Sequence, residues 1–268
     1  MLYYHYTDIQ DSRPGRAPAA AVRWILMSRY RAAVFDMDGT VLDTLEDLRV
    51  SMNHVMAEAG HRHDFTPQDA AEFFGSGVEV AVRRALALEA GAERGSLEAI
   101  GTPGEMLPAA AAASIQGEAP QIQSAFRLYY SGHCDIETGP YEGILPLLEQ
   151  LRAAGIRTAV VSNKPDNAVQ KLCSDYFRGM FDICAGQREG VRRKPAPDMV
   201  TKVLRELGIS SREAVYIGDS EIDLQTARNA DMDCISVSWG FRSYDFLLAH
   251  GAGVIAPDPG SIAGLILS

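Results

Sequence analysis

The chain has 268 residues, of which 47% are hydrophobic and 22% charged, with a formal net charge of −10. This is the make-up of a soluble globular protein with one large domain or two modest ones. The charge argues against general binding to nucleic acid or anionic membranes, and no uninterrupted apolar run approaches the roughly 18 residues of a membrane span. The four cysteines, Cys134, Cys173, Cys184 and Cys234, form no CxxC pair. They fit buried thiols in a reducing cytoplasm better than a zinc site or a disulfide framework.

Residues 1–26 differ from the rest. Arg23 interrupts their one apolar candidate, so a secretory signal is not expected. Met27 stands just before SRYRAAVFD, where a first strand would begin. Residues 1–26 therefore read as a poorly ordered tail or the product of a misassigned start.

From residue 31 a strand–helix rhythm sets in. Strands are expected at Arg31–Asp36, 156–162, 181–186, 214–219, 234–239 and 253–257. Helical patterns lie between them: ILPLLEQLRAAG, PDNAVQKLCSDY, PDMVTKVLRELG and IDLQTARNA. Two of these end at Gly155 and Gly208, good helix stops. Apolar strands alternating with helices predict an α/β fold, a doubly wound, Rossmann-like parallel sheet covered on both faces. The stretch between the first and second strands is far longer than a crossover needs. It reads as an inserted all-helical cap domain over 47–132, with 27–46 and 133–268 as the core. The Ala- and Gly-rich middle of the cap is expected to be loop with short helices, one of them over the Ala109–Ala113 run.

Ligands of open parallel sheets bind at the carboxyl ends of the strands. The first strand runs into Asp36-Met37-Asp38-Gly39-Thr40, the second into Ser162-Asn163-Lys164. After the third comes Arg193-Lys194-Pro195, and the fourth runs into Gly218-Asp219-Ser220-Glu221-Ile222-Asp223. Carboxylates gathered in one crevice repel one another and need a cation. All-oxygen ligands select a hard ion, Mg²⁺ first. A lysine and a hydroxyl beside it suit an anion, and the set as a whole suits phosphoryl transfer.

These motifs resemble those of the haloacid dehalogenase superfamily, with DMDGT, VVSN, RKPAPD and GDSEID in the family's order over roughly residues 31–260. FFGSGVEVAVRRAL, YEGILPLLEQLRAAG and SVSWGFR bring the chain close to the phosphoglycolate phosphatase group. The resemblance implies a cytoplasmic, Mg²⁺-dependent phosphatase acting on a small phosphorylated metabolite, with 2-phosphoglycolate as first guess. It implies Asp36 as nucleophile, Asp38 as general acid and base, and Lys194 as the neutralising cation. Mg²⁺ would be held by Asp36, the Asp38 carbonyl and Asp219, with Asp223 orienting or joining its ligands. Ser162, Asn163 and N–H groups near Gly39 and Thr40 would hold phosphate. The cap segment Gly75-Ser76-Gly77 would lie over the substrate, with Arg84 reaching a substrate carboxylate. No nucleic-acid or membrane partner is implied, and a monomer or homodimer is expected.

Blander readings stand beside these. Asp-Gly favours turns, Ser162-Asn163 and Asp219/Asp223 could cap helices, and Arg83 and Arg84 could form a solvated helix face. Asp43 reads as a structural cap, His61 and His63 as a polar loop, and Trp239 and Phe241 as core. The rivals of the phosphatase are a phosphosugar mutase of the β-phosphoglucomutase type, a pyrophosphatase, a nucleotide phosphatase and a non-catalytic phosphate-binding regulator. The last would require loss of a catalytic position, and none is lost.

Overall fold

The structure, a computed structural model, describes residues 29–268 apart from 103, 106 and 108. The expected tail, residues 1–26, lies outside the described residues, as does Met27.

Six parallel strands form the main sheet in the order β5-β4-β1-β6-β7-β8. They are β1 (Ala32–Phe35), β4 (Arg157–Pro165), β5 (Ile183–Gln187), β6 (Ala214–Gly218), β7 (Asp233–Val237) and β8 (Ile255–Ala256). Alternation sends their side chains to two separate cores. Ala33, Phe35, Val160, Val215 and Ile217 pack on one face, and Ala32, Val34, Ala159, Val161, Ala214 and Tyr216 on the other. With both faces buried, the strands can be apolar throughout.

The chain crosses from one side of β1 to the other, because β4 and β6 both pair with it. Phe35 is level with Val160 on one flank and Ile217 on the other. Asp36, Ser162 and Asp219 therefore emerge together at the carboxyl edge, the usual ligand position where strand order reverses.

Between β1 and β4 lie the helices α1 (Leu45–Glu58), α2 (Pro67–Phe73), α3 (Val78–Glu89), α4 (Ala109–Gly117) and α5 (Ala119–Ser131). A 3-10 turn at Arg94–Ala99 and α4, which holds the alanine run, fill the Ala/Gly-rich middle. A two-residue ribbon, β2 (Leu42–Asp43) against β3 (Gly139–Pro140), joins the segments entering and leaving this helical insert. Asp43 accepts a hydrogen bond from the Leu45 N–H at the start of α1, as its structural reading expected. The buried Asp47 carboxylate accepts the N–H groups of Ile136, Glu137 and Thr138 and the Thr138 hydroxyl, fastening the return strand to α1. Among the described residues no helix is long and apolar enough to cross a membrane.

Candidate active site

Asp36 leaves the buried end of β1 with 5% of its surface exposed. Its Oδ1 lies 2.8 Å from the Lys194 ammonium and accepts the Met37 N–H at 2.7 Å. Burial pushes Asp36 up to about 7; Lys194 pulls it down, while Asp223 and Asp38 add to the rise. Met37 points the other way, wholly buried in the core.

Lys194 is held among three acceptors: Asp36, Asp223 Oδ1 at 2.9 Å and the Tyr216 hydroxyl at 3.1 Å. Burial works against its charge, but Asp223, Asp36 and Tyr216 outweigh burial and hold its pKa above the usual lysine range. Asp219 Oδ2 accepts the Phe241 N–H at 2.7 Å. Burial, then Asp223 and Asp36, raise its carboxyl well above the ordinary value. Asp223 Oδ2 accepts the Ser220 N–H and hydroxyl, closing a capping box at the start of the helix Glu221–Asn229.

One oxygen from each of Asp36, Asp219 and Asp223 lies within 4.8 Å of the others. Three buried carboxylates share one lysine, and the raised Asp36 and Asp219 carboxyls reflect how poorly the cluster holds its full negative charge without a cation. An oxygen-only donor set of this kind fits a hard divalent cation such as Mg²⁺.

Two glycines admit the parts of this cluster. Gly39 has φ +77°, and a Cβ there would fall 2.3 Å from Asp219 Oδ2. A Cβ on Gly240 would fall 2.3 Å from the Gly39 carbonyl oxygen and 2.5 Å from Asp219 Oδ2. No other residue type fits either position without displacing Asp219 or the Gly39 backbone.

The model of the haloacid dehalogenase-like hydrolases matches residues 33–237. The chain belongs to that family. A crystal structure of a candidate phosphoglycolate phosphatase from Lactobacillus delbrueckii subsp. bulgaricus is 52% identical to this hydrolase; the match covers 89% of this chain and 99% of that one, with a TM-score of 0.86. The phosphoglycolate phosphatase of Pseudomonas savastanoi pv. phaseolicola is 28% identical over 87% of this chain and 75% of its own. Phosphoglycolate phosphatase 1 of Pseudomonas aeruginosa is 29% identical over 79% of this chain and 71% of its own. The expected fold class and the expected phosphatase class are borne out by these matches.

Within this haloacid dehalogenase-like hydrolase, several expected site residues are placed differently from their assigned roles. Arg84 does not reach the cleft. It is 1% exposed inside the cap, where its guanidinium donates to the carbonyls of Glu72, Phe73, Glu98 and Ile100. Burial, then Arg242, lowers its pKa to about 10, so it stays charged and ties α2, α3 and the 3-10 turn together. Gly75 and Gly77 do line the cleft beside Asp36. Ser76 lies instead along a separate cavity next to Arg84.

Asn163 keeps both ends of its amide within the protein. It accepts the Lys194 N–H at 2.8 Å and donates to the carbonyls of Lys194 and Gly75. Its side chain therefore fixes the lysine loop and does not supply a phosphate donor. The Gly39 and Thr40 N–H groups are also committed, to the Leu42 and Met37 carbonyls. The Thr40 hydroxyl braces Asp219 at 3.3 Å. Ser162 remains at the cleft, its Oγ accepting the Lys164 N–H and no other hydrogen bond among the described residues.

The structure also brings to the site residues for which the sequence suggested no site role. Lys164, 5% exposed, places its ammonium 2.8 Å from Asp38 Oδ1 and 2.7 Å from the Tyr130 hydroxyl of α5. Burial opposes its charge, yet Asp38 and Tyr130 hold its pKa above the usual range. Asp38 Oδ1 also accepts the Thr44 hydroxyl at 2.8 Å. Arg242 pairs with Glu221 at 2.9 Å and donates to the Ala71 and Phe74 carbonyls, joining core to cap. Trp239, expected in the core, packs against it and also donates its indole N–H to the Thr40 carbonyl. A tyrosine inside the apolar run AVYIG was a legible signal for Tyr216, since buried hydroxyls seek partners. For Lys164 the signal was its place directly after Ser-Asn at a strand end.

Proposed function

We propose that this enzyme is a Mg²⁺-dependent phosphatase that hydrolyses a small phosphorylated metabolite through an aspartyl phosphate, with 2-phosphoglycolate as the first substrate to test. The observation that carries the reading is the Asp36 carboxylate at the end of the central strand, bonded to Lys194 and grouped with Asp219 and Asp223. The phosphoglycolate phosphatases among its relatives support the substrate.

Asp36 Oδ2, which has no hydrogen-bond or ion-pair partner among the described residues, attacks phosphorus. The bond from phosphorus to the leaving oxygen breaks, and that oxygen takes a proton from Asp38. Asp38, now ionised, then takes a proton from water as the water oxygen attacks the aspartyl phosphate. Phosphate leaves and Asp36 is restored. Lys194 offsets charge on Asp36 and the phosphoryl oxygens, and Ser162 offers its hydroxyl to one of them. Asp36, Asp219 and the Asp38 carbonyl would hold Mg²⁺, with Asp223 close by. When bound, the ion supplies charge neutralisation for the phosphoryl group. Residues 47–132 act as a cap that closes over substrate and keeps bulk water out, over a core of 27–46 and 133–268.

The cleft holds a half-open pocket of about 180 Å³, below the roughly 300–1,000 Å³ of sites for drug-sized ligands. That size accommodates a small phosphoester. A cytoplasmic setting fits the free cysteines and the metabolite substrate. The test is phosphate release across a panel of phosphoesters with and without Mg²⁺. Asp36→Asn should abolish release, and a wild-type protein that hydrolyses none of the panel refutes the reading.

A further inference from the structure

The cleft holds two polar groups that the phosphatase chemistry leaves unused. The Lys164 ammonium carries three donors. Asp38 and the Tyr130 hydroxyl occupy two of them, and no third acceptor is present among the described residues. Tyr130 in turn accepts from Lys164, so its own O–H has no acceptor among the described residues. Tyr130 is 4% exposed, and both side chains line the same cavity as Asp36 and Asp38. Buried donors are normally satisfied, so two spare ones converging on a ligand cavity call for an acceptor from the ligand.

The surroundings narrow what that acceptor is. Leu48, Phe74, Val78 and Phe126 form apolar walls. Away from the phosphate end, the cationic side chains lining the cavity are Lys164 and Arg127, and Arg127 has no ion-pair partner among the described residues. An anion in an apolar cavity is held only if it is paired and hydrogen-bonded, and this corner offers an ammonium, a phenol and a guanidinium. Lys164 lies two residues beyond Ser162 on β4. Only a short spacer can therefore separate the group it binds from the phosphoryl group.

We propose that Lys164 and Tyr130, with Arg127 at the rim, form a receptor for a carboxylate carried on the substrate a short distance from its phosphoryl group. This rests on the phosphatase reading and specifies its substrate class as small phosphorylated hydroxy acids. Tyr130 belongs to α5 of the cap and Lys164 to β4 of the core. The carboxylate is thus gripped from both sides, and recognition requires cap and core to meet. Arg84, the residue expected to do this from sequence, is spent on cap carbonyls.

The experiment compares kcat/KM for 2-phosphoglycolate and for 2-hydroxyethyl phosphate, which replaces the carboxylate with a neutral alcohol. Wild type should prefer the acid by roughly 100-fold or more, as expected when a substrate lacks the group its site was built to bond. Lys164→Met should cut that ratio at least about tenfold, and Tyr130→Phe by a smaller factor in the same direction. Equal rates for the two esters in wild type overturn the receptor while leaving the phosphatase intact. A loss that falls equally on both esters in Lys164→Met shows that Lys164 acts only through Asp38, and also overturns it. If Lys164→Met does not fold, the wild-type comparison and Tyr130→Phe still decide. Failure to hydrolyse any ester refutes the parent reading instead.

Discussion

Mg²⁺ affinity should rise steeply with pH through neutrality. In the metal-free cluster Asp36 is pushed from 3.8 to about 7, chiefly by burial. A cation binds only the ionised form, so each proton still held must be displaced. With one group titrating at 7, affinity is reduced about 11-fold at pH 6 and about 1.1-fold at pH 8. The ratio is about tenfold. Asp219, also held high, makes tenfold a lower bound. The sign for stability follows from the same shift. A carboxyl raised in the folded state favours folding fully below pH 4, and that contribution is lost as pH climbs to about 7. From 3.8 to 7 at 1.36 kcal/mol per pH unit, the loss is of order 4 kcal/mol. Metal-free protein should therefore melt lower at pH 8 than at pH 5.5, and Mg²⁺ should restore more at pH 8. Calorimetric titration of Mg²⁺ at pH 6, 7 and 8, with melting curves alongside, measures both effects. Asp36→Asn, which cannot ionise, should flatten the affinity profile to whatever Asp219 contributes. An affinity unchanged between pH 6 and 8 in wild type refutes the reasoning, because Asp36 would then be ionised without the metal.

Three substitutions probe the rest of the site. Lys194→Met removes the cation from Asp36 and should lower kcat by about 10²–10³, equivalent to ~2.7–4 kcal/mol of lost charge stabilisation; steady-state kinetics with less than a fivefold loss would exclude a direct role. Gly240→Ala places a methyl group within 2.5 Å of Asp219 Oδ2, so Mg²⁺ affinity should drop by at least about tenfold with a stability cost near 1–3 kcal/mol; unchanged Mg²⁺ binding in a calorimetric titration would show that the loop yields freely. Arg84→Met deletes hydrogen bonds to four cap carbonyls and should lower stability in urea by about 3–5 kcal/mol. Its KM for 2-phosphoglycolate should stay within about twofold at a temperature where the variant is folded, because the guanidinium does not reach the cleft; a tenfold rise would return Arg84 to the substrate.

The catalytic edge was legible because its signals are local. An apolar AAVF strand running into Asp36-x-Asp38, with Gly39 for the turn, states its geometry within eight residues. Lys194 and Asp219 likewise stand at the ends of recognisable segments. The parallel sheet followed from the same logic, since strands buried on both faces must be apolar throughout. Strand ends were less exact. β4 runs on to Pro165 and β8 shrinks to Ile255–Ala256, because pairing with neighbours decides where a strand stops.

The partners of side chains could not be read from the chain. Arg84 and Lys164 carry the same charge, and the family resemblance favoured Arg84 for the substrate. The packing of α2, α3 and the 3-10 turn surrounds Arg84 with carbonyls, whereas the meeting of α5 with β4 leaves Lys164 in the cleft. Asn163, Thr40 and Gly240 show the same division. Their residue types announced a polar, tightly turned site, but whether each faces substrate or braces a neighbour depends on residues about 20 to 200 positions away. By itself the sequence determined the chemistry at the strand ends, the Rossmann-like sheet and the presence of a helical insert. Tertiary structure alone decided which cations remain free to meet a ligand, because a buried charge is claimed by whatever acceptors the fold brings nearest.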